Sequence, residues 1–263
     1  MNIKILPTDW DAEKFFTESP NRYSILRTDF NIDGFKRDSS RPSGCFSIII
    51  NPLAEDFPDR LTDFIAYENS HGRCVLIHSP DFDIKPTLEY RRHPSNHARK
   101  TDPAVAVHST LLTSYEQIIK DGHLKSTARL NKEGIIKKAI GVEHLGEPED
   151  YSEYIMFATA DGKGSGSELL VNSHLQGKIC FDHNMPYTPQ ARMYFYIGKI
   201  IRDGLTVRDG VHLAKVFDIL PLKDYLVMTI FGHDVTLPKG ETHWTPSLFQ
   251  KCANDLFFEL LRC

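Results

Sequence analysis

The chain has 263 residues, enough for one large domain or a medium domain with a substantial extension. Hydrophobic residues at 41% and charged residues at 25% match ordinary globular usage, which excludes a disordered or fibrous chain. With 31 Lys and Arg against 35 Asp and Glu the net charge is −4, so nucleic-acid binding through bulk charge is disfavoured, while a local basic patch stays open. No run of about 18 apolar residues occurs, so no membrane span is expected. The start, MNIKILPTDWDAEKFF, carries a Pro and three acids before any apolar core and does not read as a secretory leader. Five cysteines (Cys45, Cys74, Cys180, Cys252, Cys263), an odd number with no C-x-x-C, read as reduced thiols of a cytoplasmic protein. Cys263 lacks a prenylation context. The histidines form no H-E-x-x-H and no tight cluster with Cys, so no metal is expected.

In chain order, CFSIII at 45–50 and CVLIH at 74–78 are apolar runs of strand length. Between them Phe57, Leu61, Phe64 and Ile65 fall at near-helical spacing, so 45–78 reads as strand, helix, strand. Residues 31–44 are a Gly-, Ser-, Pro- and Asp-rich loop. Residues 85–104 read as a basic linker: between 85 and 100, Lys85, Arg91, Arg92, Arg99 and Lys100 face only Glu89, a local surplus of four positive charges. That surplus is either a solvated hinge or a docking surface for phosphates, with Arg91, Arg92 and Arg99 as candidate acceptor-binding residues.

From residue 105 the pattern tightens. AVAVHST reads as a buried strand, followed by a helix that Ser114 would cap, with Gln117 completing a capping box, and that Gly122 would end. YIMFATA (154–160), MYFYIGKI (193–200) and DYLVMTIF (224–231) read as strands, with a short turn or helix closing at Asp203-Gly204. SLFQKCANDLFFELL spaces Leu248, Phe249, Cys252, Leu256, Phe257, Leu260 and Leu261 as an amphipathic closing helix. DGKGSGS at 161–167 has neither phosphate-loop order and reads as a flexible loop. No G-x-S-x-G elbow is present. The predicted fold is α+β with a mixed or largely antiparallel sheet at 105–263, preceded by an N-terminal α/β extension at 1–84.

The succession VHSTLLTSYEQIIKDGHL (107–124), YIMFATAD (154–161), ARMYFYIGKIIRDGLTVRDGVHLAKVF (191–217) and LPLKDYLVMTI (220–230) resembles the ADP-ribosyltransferase superfamily. Its likeness is closest to the RNA 2′-phosphotransferases, with elements of the poly(ADP-ribose) polymerases. The resemblance covers about 105–231. It implies NAD as co-substrate and an ADP-ribosyltransferase-like core. By the same resemblance His108 would hydrogen-bond a ribose hydroxyl, the main chain at Ser109 would hold the nicotinamide carboxamide, and Thr110 would support that strand. Tyr154 or Phe157 would stack on the nicotinamide, and Arg192 would hold a pyrophosphate. Asp224 or, as a second candidate acid, Glu241 would orient a hydroxyl or deprotonate the acceptor.

Two departures bear on the reaction. Where the phosphotransferases carry His-x-His before Phe-Ala, this chain has Tyr154 and Met156, which weighs against removal of an RNA 2′-phosphate. Asp224 stands where the polymerases open their last catalytic strand with Glu, one methylene longer. The expected activity is transfer of ADP-ribose from NAD to a macromolecule, RNA or DNA ahead of protein, as in toxins or phage-defence effectors, with an antitoxin or regulatory partner left open. The alternatives are an RNA 2′-phosphotransferase and a binding module without catalysis.

Overall fold

The computed structural model describes residues 2–10, 22–37, 45–90, 98–135, 137, 139–160, 166–212 and 215–262. In chain order the strands are β1 (Ile3–Ile5), β2 (Tyr23–Thr28), β3 (Phe35–Arg37), β4 (Phe46–Ile50), β5 (Cys74–His78), β6 (Val105–Thr110), β7 (His123–Lys125), β8 (Tyr154–Met156), β9 (Ala158–Thr159), β10 (Ala191–Tyr196), β11 (Thr206–Val207), β12 (Lys215–Phe217), β13 (Ile219–Pro221) and β14 (Leu226–Phe231). The helices are α1 (Phe57–Ser70), α2 (Lys85–Tyr90), α3 (Leu112–Asp121), α4 (Thr127–Lys132), α5 (Ile140–Leu145), α6 (Gly166–Gln176), α7 (Ile197–Arg202), α8 (Leu222–Tyr225) and α9 (Pro246–Leu260). Helices and several separate sheets together make an α+β arrangement. None of the described helices is long and apolar enough to cross a membrane.

The chain divides into two units. The first comprises Met1–Thr101, Lys138–Ser152 and Val207–Leu213; the second comprises Asp102–Lys137, Glu153–Thr206 and Ala214–Cys263. In the first unit five strands lie in the order β1-β5-β2-β4-β3. The first four of these are mutually parallel and β3 runs antiparallel to β4. A parallel sheet is covered on both faces, and the apolar runs read from sequence serve that purpose: Ile25, Leu26, Ile48, Ile50, Val75, Leu76 and Ile77 are fully buried. α1 is the crossover from β4 to β5, with Pro58 in its first turn and Phe57, Leu61, Phe64 and Ile65 buried. This is the strand, helix, strand expected for 45–78.

The first unit extends beyond residue 84. It takes in α2, which lies inside the stretch read as a linker, and two later pieces at 138–152 and 207–213. Polar contacts and the single buried ring of Tyr151, packed on Phe46 and Tyr67, hold those pieces, so no hydrophobic period announces them. Arg60 of α1 donates to the carbonyls of Gly210 (3.1 Å) and Val211 (3.3 Å), and Arg73 donates to Asp150. Gly210 has φ +73°, and a Cβ there would meet the Arg60 carbonyl and Phe64, so only glycine fits this approach.

In the second unit an antiparallel sheet runs β14-β10-β6-β9. Beside it stand a three-stranded sheet, β11-β12-β8, and the pair β13-β7. Four sequence expectations shift here, each for a local reason. α3 starts two residues before Ser114, because the extended Leu111 is the cap and Gln190 Oε1 accepts from the Leu112 N–H at 3.0 Å. Its end at Gly122, left-handed with φ +69°, is as expected. The run 154–160 is two strands, because β8 pairs with β12 whereas β9 pairs with β6. The run 193–200 stops being a strand at Tyr196, where Ile197, Ile200 and Ile201 take up helical spacing in α7. Asp224 and Tyr225 form a helical turn ahead of β14. The closing helix forms as α9, capped by Thr245.

Candidate functional site

Side chains alternate along a strand, so β6 divides the predicted site residues between two faces. Register with β10 sets Met193 opposite His108 and Arg192 opposite Ser109. His108 and Thr110 therefore share one face, and Ser109 and Arg192 share the other.

On the first face His108 borders a core of Ala106, Phe157, Met193 and Phe195. Its ring meets Phe157 edge to face at 6.4 Å. Its Nδ1 lies 3.5 Å from the Met156 carbonyl, which can only accept, so the contact favours the proton on Nδ1 and leaves Nε2 as an acceptor. Among the described residues nothing hydrogen-bonds Nε2. Burial pushes the His108 pKa below the ordinary imidazole value, against a weaker pull from the Met156 carbonyl, which favours the neutral ring. β9 covers β6 only at Ala106 and Val107, and beyond it the Ser109 N–H donates to Ser167 Oγ at 2.8 Å. Phe157, 7% exposed, marks where the chain passes between sheets and packs on Phe195 at 5.4 Å. Tyr154 pairs with Phe217 (5.6 Å between rings), and the Lys215 ammonium lies 4.2 Å over the tyrosine ring. Phe217 is 55% exposed, so this pair presents an aromatic edge.

On the opposite face Arg192 is neither a solvated strand-end charge nor open to a phosphate; it is 1% exposed. Its guanidinium donates to Glu168 Oε1 at 2.5 Å, to Asn254 Oδ1 at 2.9 and 3.1 Å, and to the Tyr194 hydroxyl at 3.0 Å. Ser109 Oγ donates to the same Glu168 oxygen. Burial works against the Arg192 charge, but the Glu168 carboxylate outweighs it and raises the pKa. A pyrophosphate at Arg192 would have to displace Glu168, so its present work is to tie β10 to α6 and α9. Glu168 and Asn254 escaped the sequence reading. Their signal is a polar residue on a buried helix stripe: Asn254 falls beside Ala253 and Phe257, and Glu168 beside Leu169.

The candidate acids are not at His108. Asp224 is exposed in α8, whereas the β-sheet row through His108 and Met193 reaches β14 at Thr229, five residues further on and two strands away. Glu241 is exposed in the turn that begins at Pro238. Among the acceptor candidates, Arg91 and Arg92 lie outside the described residues. Arg99 holds Asp63 of α1 with two bonds, at 2.5 and 2.8 Å.

The first unit holds a second buried polar cluster that the sequence did not announce. Asp209 accepts from the Val211 and His212 N–H groups and, at 2.9 Å, from His212 Nδ1. His212 Nε2 stands 3.5 Å from Glu147, which also pairs with Arg37. Burial opposes the His212 charge, yet Asp209 and Glu147 outweigh it and hold its pKa above the ordinary value. Beside it, Glu68, Arg73, Asp150 and Tyr151 form a linked set.

No family model, no curated protein and no solved structure matches the chain.

Proposed function

We propose that the chain is an NAD-dependent ADP-ribosyltransferase acting on a nucleic-acid acceptor, with the second unit as an ADP-ribosyltransferase-like core. The observation that supports this most is the placement of His108, with Nδ1 facing the Met156 carbonyl at 3.5 Å and Nε2 left as an acceptor. An NAD ribose hydroxyl is a donor of the kind Nε2 needs. The order of strand β6, helix α3, left-handed Gly122 and strand β7 agrees with the motif succession that carries the resemblance.

In the reaction the bond from the ribose anomeric carbon to nicotinamide breaks, and its electron pair leaves with nicotinamide. A lone pair of the acceptor's nitrogen or oxygen forms the new bond, and the acceptor proton passes to a carboxylate or to water. His108 orients the ribose through its hydroxyl, and the Tyr154–Phe217 edge offers a ring face. Arg192 acts at one remove, by fixing β10 and the Ser109 side chain. Asp224 and Glu241 are the candidate bases. The preference for nucleic acid rests on Arg91 and Arg92 by sequence alone, since Arg99 is engaged with Asp63.

A second reading, a module that holds NAD without transferring it, is favoured by the exposure of Asp224 and Glu241 away from the His108 row. One incubation separates the two. Wild type and His108→Ala are given labelled NAD with separate pools of RNA, DNA and protein. Label in the RNA or DNA pool that is lost in the variant supports transfer. Label only in the protein pool corrects the acceptor, and NAD that stays bound and intact supports the module. Release of a cyclic ADP-ribose phosphate from 2′-phosphorylated RNA would move the assignment to the phosphotransferases.

A further inference from the structure

The antiparallel sheet of the second unit ends in an open edge. β14 stands last in the order β14-β10-β6-β9, and among the described residues it pairs with β10 alone. Two hydrogen bonds on opposite sides of the sheet fix which of its backbone groups face outward. The Ser109 N–H leaves β6 for Ser167 Oγ, so by alternation the next pair, His108 with Met193, is one that exchanges bonds between β6 and β10. Met193 thereby directs its N–H and C=O to β6, and Thr229, opposite it on β14, turns its own away from the sheet. The far end of β14 agrees. The Phe231 N–H, two residues on, donates to Asp234 Oδ2 at 2.7 Å and not across to Ala191.

An unpaired edge is a template for another strand, and proteins blunt it with charge, proline or a bulge. Leu226–Phe231, LVMTIF, holds neither a charge nor a proline. Its one irregularity is a bulge at Val227, where the register passes from Tyr194–Met228 to Phe195–Leu226, and this leaves Met228–Phe231 regular. Beside the edge α3 supplies an apolar shoulder. Tyr115 meets the Phe231 ring edge to face at 5.0 Å, so the stripe of Leu112, Tyr115 and Ile119 lies on the β14 side. Leu112 and Ile119 are 41% and 44% exposed there.

A second copy of the chain matches this edge. About a two-fold axis at Thr229, the Thr229 N–H of each copy donates to the Thr229 carbonyl of the other, a pair that exchanges both bonds. Val227 then falls opposite Phe231 of the other copy, so no like charges meet across the strands. Past the strand ends, Lys223 of one copy comes to the end of the other that carries Asp234. A free peptide would gain the same few bonds without a second α3 shoulder.

We propose that the chain forms a two-fold dimer by joining β14 to β14, which makes one eight-stranded antiparallel sheet. The two His108 rows then share a face of that sheet, about 24 Å apart at five strand spacings. Nothing in the proposal depends on NAD or on transfer.

The test is analytical ultracentrifugation of the full chain from about 1 to 100 µM, with amide hydrogen exchange measured at both ends of that range. A dimer is expected with a Kd of about 10 µM or tighter. The Thr229 amide, which no described residue accepts, should exchange at least about tenfold more slowly at the high concentration, a result that needs no variant to fold. Thr229→Pro removes an N–H that the sheet within one copy does not use; with an unchanged melting curve it should weaken the dimer by about tenfold or more. A chain still monomeric at the highest concentration, a dimer whose Thr229 amide is not slowed, assemblies that grow past two copies, or a folded Thr229→Pro that dimerises like wild type would each overturn the proposal.

Discussion

The two units bury charge in different ways. In the second, Arg192 and Glu168 are 1% and 0% exposed in the middle of a sheet and its covering helices, and the Arg192 pKa is raised, away from neutrality. In the first, Arg37, Glu147, Asp209 and His212 join three separated stretches of chain, and the set includes a histidine. The second unit's cluster is a fixed strut; the first unit's is a clasp that titrates. A buried charge that cannot titrate must be paired at all times, which is why Arg192 is unavailable to a ligand. The second unit's other face carries His108, whose pKa burial lowers, and it is the face to which the proposed chemistry is assigned.

The largest effect should come from breaking the strut. Glu168→Ala strands the Arg192 guanidinium in the core and should remove about 3–5 kcal/mol from the second unit in urea unfolding. The double variant Arg192→Leu with Glu168→Leu should recover most of that, because no unpaired charge remains. Next, Gly210→Ala forces a left-handed backbone and a contact with the Arg60 carbonyl, so the first unit should lose about 2 kcal/mol or more in thermal unfolding.

The titrating clasp gives a pH signature. The folded pKa of His212 is raised, so its contribution is complete below the unfolded value of about 6.5 and is lost as pH rises through the folded value. Glu147 is lowered: burial pushes its pKa up, but His212 and Arg37 prevail, so its contribution is lost as pH falls through its folded value. The first unit should therefore weaken as pH rises above about 6.5, and His212→Gln should abolish that slope. The smallest effect has the opposite sign. His108 is lowered, so the unfolded chain binds more protons below about pH 6.5 and acid should destabilise the second unit there. His108→Gln should flatten that limb.

How legible these features were in sequence depended on what holds them. The apolar runs 45–50, 74–78 and 105–110 and the stripe of α9 have periods that water alone enforces, and all four form where expected. The joining of 138–152 and 207–213 to the first unit had no such signal, because isolated residues carry it: Asp150 bonded to Arg73, Tyr151 packed on Phe46 and Tyr67, and Gly210 bonded to Arg60. His108 could be named from its motif, but its tautomer depends on the Met156 carbonyl, 48 residues later. Arg192 could be named too, yet burial reverses its expected role, and burial is set by Glu168 and Asn254 on distant helices.

The most direct test of the account is nicotinamide release from NAD by wild type and His108→Ala, measured with the melting temperature of each. The account predicts release by wild type and a loss of about 100-fold or more in the variant, with the melting temperature shifted by no more than about 2 °C. Release that survives the substitution, or that disappears only because the variant unfolds, would contradict it.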